Sequence, residues 1–253
     1  MLLLILGMLL AIALLALPFV ILSLVRKGGI KVLKPFLLGL GIMIVGSVLP
    51  VAYAWLVEEA AGLGENAAPF FTGIGATVLS WPLMGIAVAG TMSLALRFLL
   101  QGRRSAPEAL VLGAGVCIPT LFYRGFVIVL AYLNGISAGA GYGESAAVLF
   151  SFSWLLLSAV VEAPLAIITA YFVNEKKSWL GFALCAGLET ICLSASSMAE
   201  TLGIYDWIMT AVNILAVAGA VWAAIKLWPH LPAPVTAKSK IQWPDGEDDG
   251  HIR

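Results

Sequence analysis

Apolar positions along this chain run in long, nearly unbroken blocks and show neither strand alternation nor a one-faced helical stripe. Segments that are hydrophobic on every face are stable as helices surrounded by lipid, where each backbone polar group is bonded within its own segment. A crossing helix needs about 20 such residues. That criterion predicts seven spans, at 2–25, 35–57, 75–100, 109–133, 147–173, 178–198 and 205–227. The expected fold is all-α, a polytopic transmembrane helical bundle of about seven spans, with a single domain over 1–228 and a disordered cytoplasmic tail over 229–253.

The polar breaks between the runs predict an orientation. Lysine and arginine occupy the breaks at 26–34, 103–104 and 176–177 and the tail at Lys238 and Lys240. The intervening breaks carry Glu58, Glu59, Glu65, Glu144, Glu200 and Asp206 with no basic residue. By the positive-inside rule the N-terminus is expected outside and the C-terminus in the cytoplasm, so the expected location is the cell (cytoplasmic) membrane, multi-pass. The first run lacks a basic leader, and its cations Arg26 and Lys27 follow it, which suits an uncleaved anchor better than a secretory signal.

Two segments are irregular. Residues 66–100 exceed one upright span and contain Gly73, Gly75, Pro82, Gly85 and Gly90, which predicts an interfacial entry followed by a kinked or tilted helix. The stretch GISAGAGYGES, 135–145, is expected to be an external connector. Trp55, Trp179, Trp207 and Trp228 fall near span ends, where an amphipathic ring is favoured.

Composition agrees with the pattern: 61% of residues are hydrophobic, 11% are charged, and the mean hydropathy is +1.02. These values lie outside the usual balance of a soluble domain. A formal charge of zero without any basic block predicts no nucleic-acid partner; the expected partners are the lipid bilayer and another membrane protein or transmembrane segment. Cys117, Cys185 and Cys192 show no metal-ligand or redox spacing and are expected to be small buried side chains. His230 and His251 both lie in the polar C-terminal end, so no metal and no cofactor is expected.

Ionisable groups inside a span cost about 2.5–3.5 kcal/mol each at the helix centre, which makes survivors the first functional candidates. Three stand well inside runs: Arg124, Glu162 and Glu189. Arg97 is close enough to a span end to reach headgroups. At about 1.5 Å per residue the two glutamates lie roughly 16 Å, and Arg124 roughly 22 Å, from the inner ends of their predicted spans. An Arg124/Glu162/Glu189 intramembrane polar cluster is therefore expected, with Arg124 paired to one glutamate and the other protonated or facing water. Pro164 is expected to loosen the helix beside Glu162, and Gly125 to allow close helix approach. Ser194, Ser196 and Ser197 are expected to serve packing.

The stretches LRFLLQGRRSAPEALVLGAGVCIPTLF (96–122) and VVEAPLAIITAYFVNEKKSWLGFALCAGLETI (160–191), together with the apolar pair of N-terminal helices around a basic turn, resemble the YhfC family of bacterial membrane proteins. That family is related to the glutamic-type intramembrane proteases of the CAAX-processing superfamily. The resemblance implies a helical membrane fold and a peptidase-like layout. Active relatives carry a Glu-Glu-x-x-Arg segment where this chain has Val88, Ala89 and Met92. A Gly-His-Gly-Gly-x-Glu segment falls on GAGVCI, 113–118, which keeps two glycines and lacks the histidine and glutamate. A further histidine and aspartate fall near Gly187 and Ile191, and only Glu162 keeps an acidic position.

A glutamic protease needs a carboxylate to activate water and donors to hold the oxyanion. On the resemblance, this chain is a catalytically degenerate member with no catalytic residues, acting by binding membrane segments or a partner. A second reading is a small transporter or permease-like subunit, with Arg124 binding an anion and the glutamates a cation or proton. It calls for internal repeats, and none is evident. A third is an active protease using rearranged carboxylates.

Overall fold

The structure, a computed structural model, describes residues 2–61, 73–100, 104–137, 160–203 and 206–234. Seven helices are present among them: α1 (Leu2–Lys27), α2 (Leu33–Ala61), α3 (Gly73–Leu94), α4 (Ala106–Ser137), α5 (Glu162–Asn174), α6 (Ser178–Leu202) and α7 (Asp206–Leu227). Among the described residues, three helical stretches are long and apolar enough to cross a membrane: Leu33–Ala60, Val78–Leu99 and Ala211–His230. The outward faces of α2 and α7 are apolar, with Ile44 68% and Leu215 70% exposed. In water such faces would be a liability; against acyl chains they cost nothing.

Each helix ends for a local reason. Arg26 and Lys27 stand in the last turn of α1, where cations oppose the negative end of the helix dipole, and Gly29 closes it with φ 78°. At the start of α4, Glu108 supplies the reciprocal half of a capping box, its Oε2 accepting from the Ser105 N–H at 3.4 Å and from the Ser105 hydroxyl at 2.7 Å. α3 widens into a π-helical turn, Ala95–Leu99, with the Leu100 N–H donating to the Ala95 carbonyl at 3.0 Å. Arg104 closes that turn, its Nε donating to the Leu96 carbonyl at 2.8 Å and a terminal nitrogen to the Arg97 carbonyl at 2.9 Å. The Arg97 guanidinium lies 5.3 Å from the centre of the Phe98 ring.

Sequence neighbours are not always packing neighbours. α3 packs mainly on α6, α2 on α4 and α3, and α7 on α6 and α5, while α1 packs chiefly on α4. α5 is the central element: residues 161–170 are all buried. It anchors the layer where α2, α3 and α4 meet (Ile42, Val88, Met92, Leu112, Ala166) and a second layer with α6 and α7 (Leu165, Ile168, Cys185, Val217, Ala220). Ala216 and Ala220 of α7 therefore serve contacts within the chain.

Several differences from the sequence-based expectation have physical causes. The connector expected at 135–145 begins later, because α4 continues through Ser137; the rest of that loop, residues 66–72 and the helix expected over 147–159 lie outside the described residues. The chain stays ordered past Trp228: a 3-10 turn, Trp228–His230, brings the His230 ring to 6.4 Å from that of Tyr171, and Leu231 is buried in the core. The tail from 235 onward lies outside the described residues.

Candidate functional site

Two glycines position the polar centre. A Cβ on Gly113 of α4 would stand 2.5 Å from the Ala163 Cα and 2.5 Å from the Glu162 carbonyl oxygen, so α4 and α5 meet backbone to backbone at this level. A Cβ on Gly85 of α3 would meet the Thr190 hydroxyl at 2.6 Å and the Ala186 carbonyl at 2.7 Å, the same arrangement between α3 and α6. One clamp fixes the start of α5 and the other the middle of α6. Between them they bring Glu162 and Glu189 into the same layer.

Glu162 opens the regular part of α5, immediately after a break in the hydrogen-bond ladder at Val161, whose backbone itself stays helical (φ −59°, ψ −26°). The break has a cause in Pro164, which has no N–H to give to the preceding turn, whereas Leu165 donates normally to the Val161 carbonyl at 3.0 Å. Glu162 is 1% exposed and Glu189 0%. The Glu189 carboxyl lies within direct interaction range of the Glu162 carboxyl and faces the backbone of Ala89. Even so, neither Glu189 oxygen makes a well-formed hydrogen bond among the described residues.

The surroundings are soft and mostly self-satisfied. Cys185 lies near both glutamates, and Cys117 lies near Glu162. The Thr169 hydroxyl donates to the Leu165 carbonyl at 2.8 Å and sits 3.0 Å from the Cys185 sulfur. All three cysteines are free and buried, as their apolar setting suggests. No group of three or more His, Cys, Asp or Glu side chains suited to a metal ion occurs among the described residues.

Depth follows from the helix rise. Asn174, at the end of α5, donates to the Arg104 carbonyl at 3.3 Å and marks one edge of the bundle. Glu162 lies 12 residues before it, about 18 Å away at 1.5 Å per residue. Glu189 lies 11 residues after Ser178, about 16 Å from the same edge. Both carboxyls therefore lie at a similar depth from that edge, about 16–18 Å along their helices.

Of the three residues the sequence singles out, the structure brings together Glu162 and Glu189. The Arg124 backbone is helical in α4, 11 residues and about 16 Å of rise beyond Gly113, and its side chain lies outside the described residues. The Ser194, Ser196 and Ser197 side chains also lie outside them. Sequence reasoning passed over two buried polar groups. Asn213 Oδ1 and Ser93 Oγ are buried without a hydrogen bond among the described residues, and an inventory restricted to ionisable groups does not find them. It also passed over Gly85 and Gly113 as positioning residues, although small residues inside apolar runs are a signal of close helix contact.

Comparison of the chain with protein-family models, with curated proteins and with solved structures gives no match.

Proposed function

We propose that this is a multi-pass protein of the bacterial cytoplasmic membrane, N-terminus outside and C-terminus inside, with the YhfC-type layout, that acts by binding and not by catalysis. Its working centre in this reading is the Glu162/Glu189 pair, which accepts a basic or proton-donating side chain from a partner transmembrane segment. The observation that carries the proposal is the pair of Glu189 oxygens, fully buried beside a second carboxyl and without a well-formed hydrogen bond among the described residues. Leaving such a group unsatisfied costs about 1–3 kcal/mol, more for a charged one, and a partner donor recovers that cost on binding. Two carboxyl groups held together away from water favour a shared proton or a cationic third group.

A catalytic use of the pair is the second reading, favoured by the closeness of the two carboxyls. Activating water also requires donors for the oxyanion, and the Thr169 hydroxyl and Cys185 thiol beside the pair both point to the Leu165 carbonyl. The alternatives separate experimentally. In liposomes containing the purified protein, a Leu/Ala single-span peptide with one central lysine binds wild type, and Glu189→Gln abolishes the binding while the folded protein remains. Cleavage of the peptide by wild type and not by Glu189→Gln would replace this proposal with the catalytic one.

A further inference from the structure

The turn between α1 and α2 concentrates charge as no other part of the described chain does. Arg26, Lys27, Lys31 and Lys34 fall within nine residues, and no aspartate or glutamate precedes Glu58. All four cations are exposed. Behind them the two helices part: α1 leans on α4, whereas α2 is held to α4 and α3. The hold on α2 is close, since a Cβ on Gly115 of α4 would run into the Phe36 carbonyl, and one on Gly39 into the Leu112 carbonyl. The wedge left between α1 and α2 is a groove of about 640 Å³.

The lining of this groove is two-part. Arg26, Lys27 and Ser23 form its polar side, and Leu22, Leu33 and Phe36 its apolar side. The cations supply donors and positive charge for a phosphate, and the apolar wall continues along two helices whose outer faces are hydrocarbon-like, with Leu24 and Leu37 exposed. A free phosphate would leave that wall wet, and a zwitterionic headgroup would bring its own cation against Arg26 and Lys27. We infer that the α1–α2 groove is a binding site for an anionic glycerophospholipid, its phosphate between Arg26 and Lys27 and an acyl chain against Leu22, Leu33 and Phe36. The site is separate from the carboxyl pair and stands whether or not that pair binds a partner.

The test is native mass spectrometry of the full chain in detergent, titrated with phosphatidylglycerol and with phosphatidylcholine of matched acyl chains. Wild type binds phosphatidylglycerol at least about tenfold more tightly than phosphatidylcholine. The R26Q/K27Q variant loses roughly thirtyfold in phosphatidylglycerol affinity, about fivefold for each cation near a membrane surface, with phosphatidylcholine unchanged. A K177Q/K226Q variant, of equal charge change elsewhere, retains the preference. Because altered flanking charge can disturb insertion, Ser23→Glu provides a second probe that keeps both cations, and it weakens phosphatidylglycerol binding to a similar extent. Equal affinity for the two lipids in wild type, an equal loss in K177Q/K226Q, or displacement of the lipid by millimolar inorganic phosphate would overturn the assignment.

Discussion

Replacing Gly113 by alanine tests the contact that sets Glu162 in place. The added methyl would lie 2.5 Å from both the Ala163 Cα and the Glu162 carbonyl oxygen, and 2.9 Å from the Glu162 carbonyl carbon. Ordinary contacts begin near 3.4 Å, and the obstacles are backbone atoms that no rotamer change can move. α4 and α5 must therefore separate by nearly an ångström. Overpacking of this kind costs about 1–3 kcal/mol. The exchange also gains about 1 kcal/mol of helix propensity, so the steric part is best isolated against a glycine that meets nothing. Gly219 of α7 is such a control, with no atom within 4 Å of an added Cβ. In unfolding titrations of the purified protein in mixed micelles, Gly219→Ala is neutral or stabilising. Gly113→Ala falls below it by the steric term, about 1–3 kcal/mol. Equal stability of the two variants would refute the α4–α5 clamp, and with it the reason given for the position of Glu162.

Other contacts give smaller, independent outcomes in the same titration. Glu108→Ala removes half of the capping box at Ser105 and costs about 1 kcal/mol. Arg104→Lys cannot reproduce a fork that reaches the Leu96 and Arg97 carbonyls together, so it destabilises almost as much as Arg104→Ala, by about 1 kcal/mol at this partly exposed site. Lys176 holds φ 59°, the left-handed region that disfavours side chains, so Lys176→Gly raises stability by roughly 0.5–1 kcal/mol.

The helices were legible in the sequence because an apolar run records its own length: the described bounds of α1, α2, α6 and α7 lie within a few residues of the expected spans. The two glutamates were legible because ionisable groups stand out against such runs. Their closeness was legible only as a matched depth. What brings them together is a pair of backbone contacts at Gly85 and Gly113, and a glycine in an apolar run marks a kink as readily as a crossing. Segment 66–100 was expected to be irregular for its length, Pro82 and its glycines, and one irregularity is a π turn at Ala95–Leu99, whose partner Arg104 was read for its charge alone. The choice of α4 over α2 as the support of α1 follows from surface shapes that hydrophobic patterning does not encode. Asn213 and Ser93 were hidden by their neutrality.

The central claim, that the Glu162/Glu189 pair receives a donor from a neighbouring membrane segment, is tested most directly by a double-mutant cycle in liposomes. The cycle measures energy-transfer binding of a Leu/Ala single-span peptide bearing a central lysine or leucine to wild type and to Glu189→Gln. A direct contact predicts a coupling of at least about 1.5 kcal/mol, lost when either partner is changed. A coupling of zero, with both peptides binding both proteins equally, would contradict it.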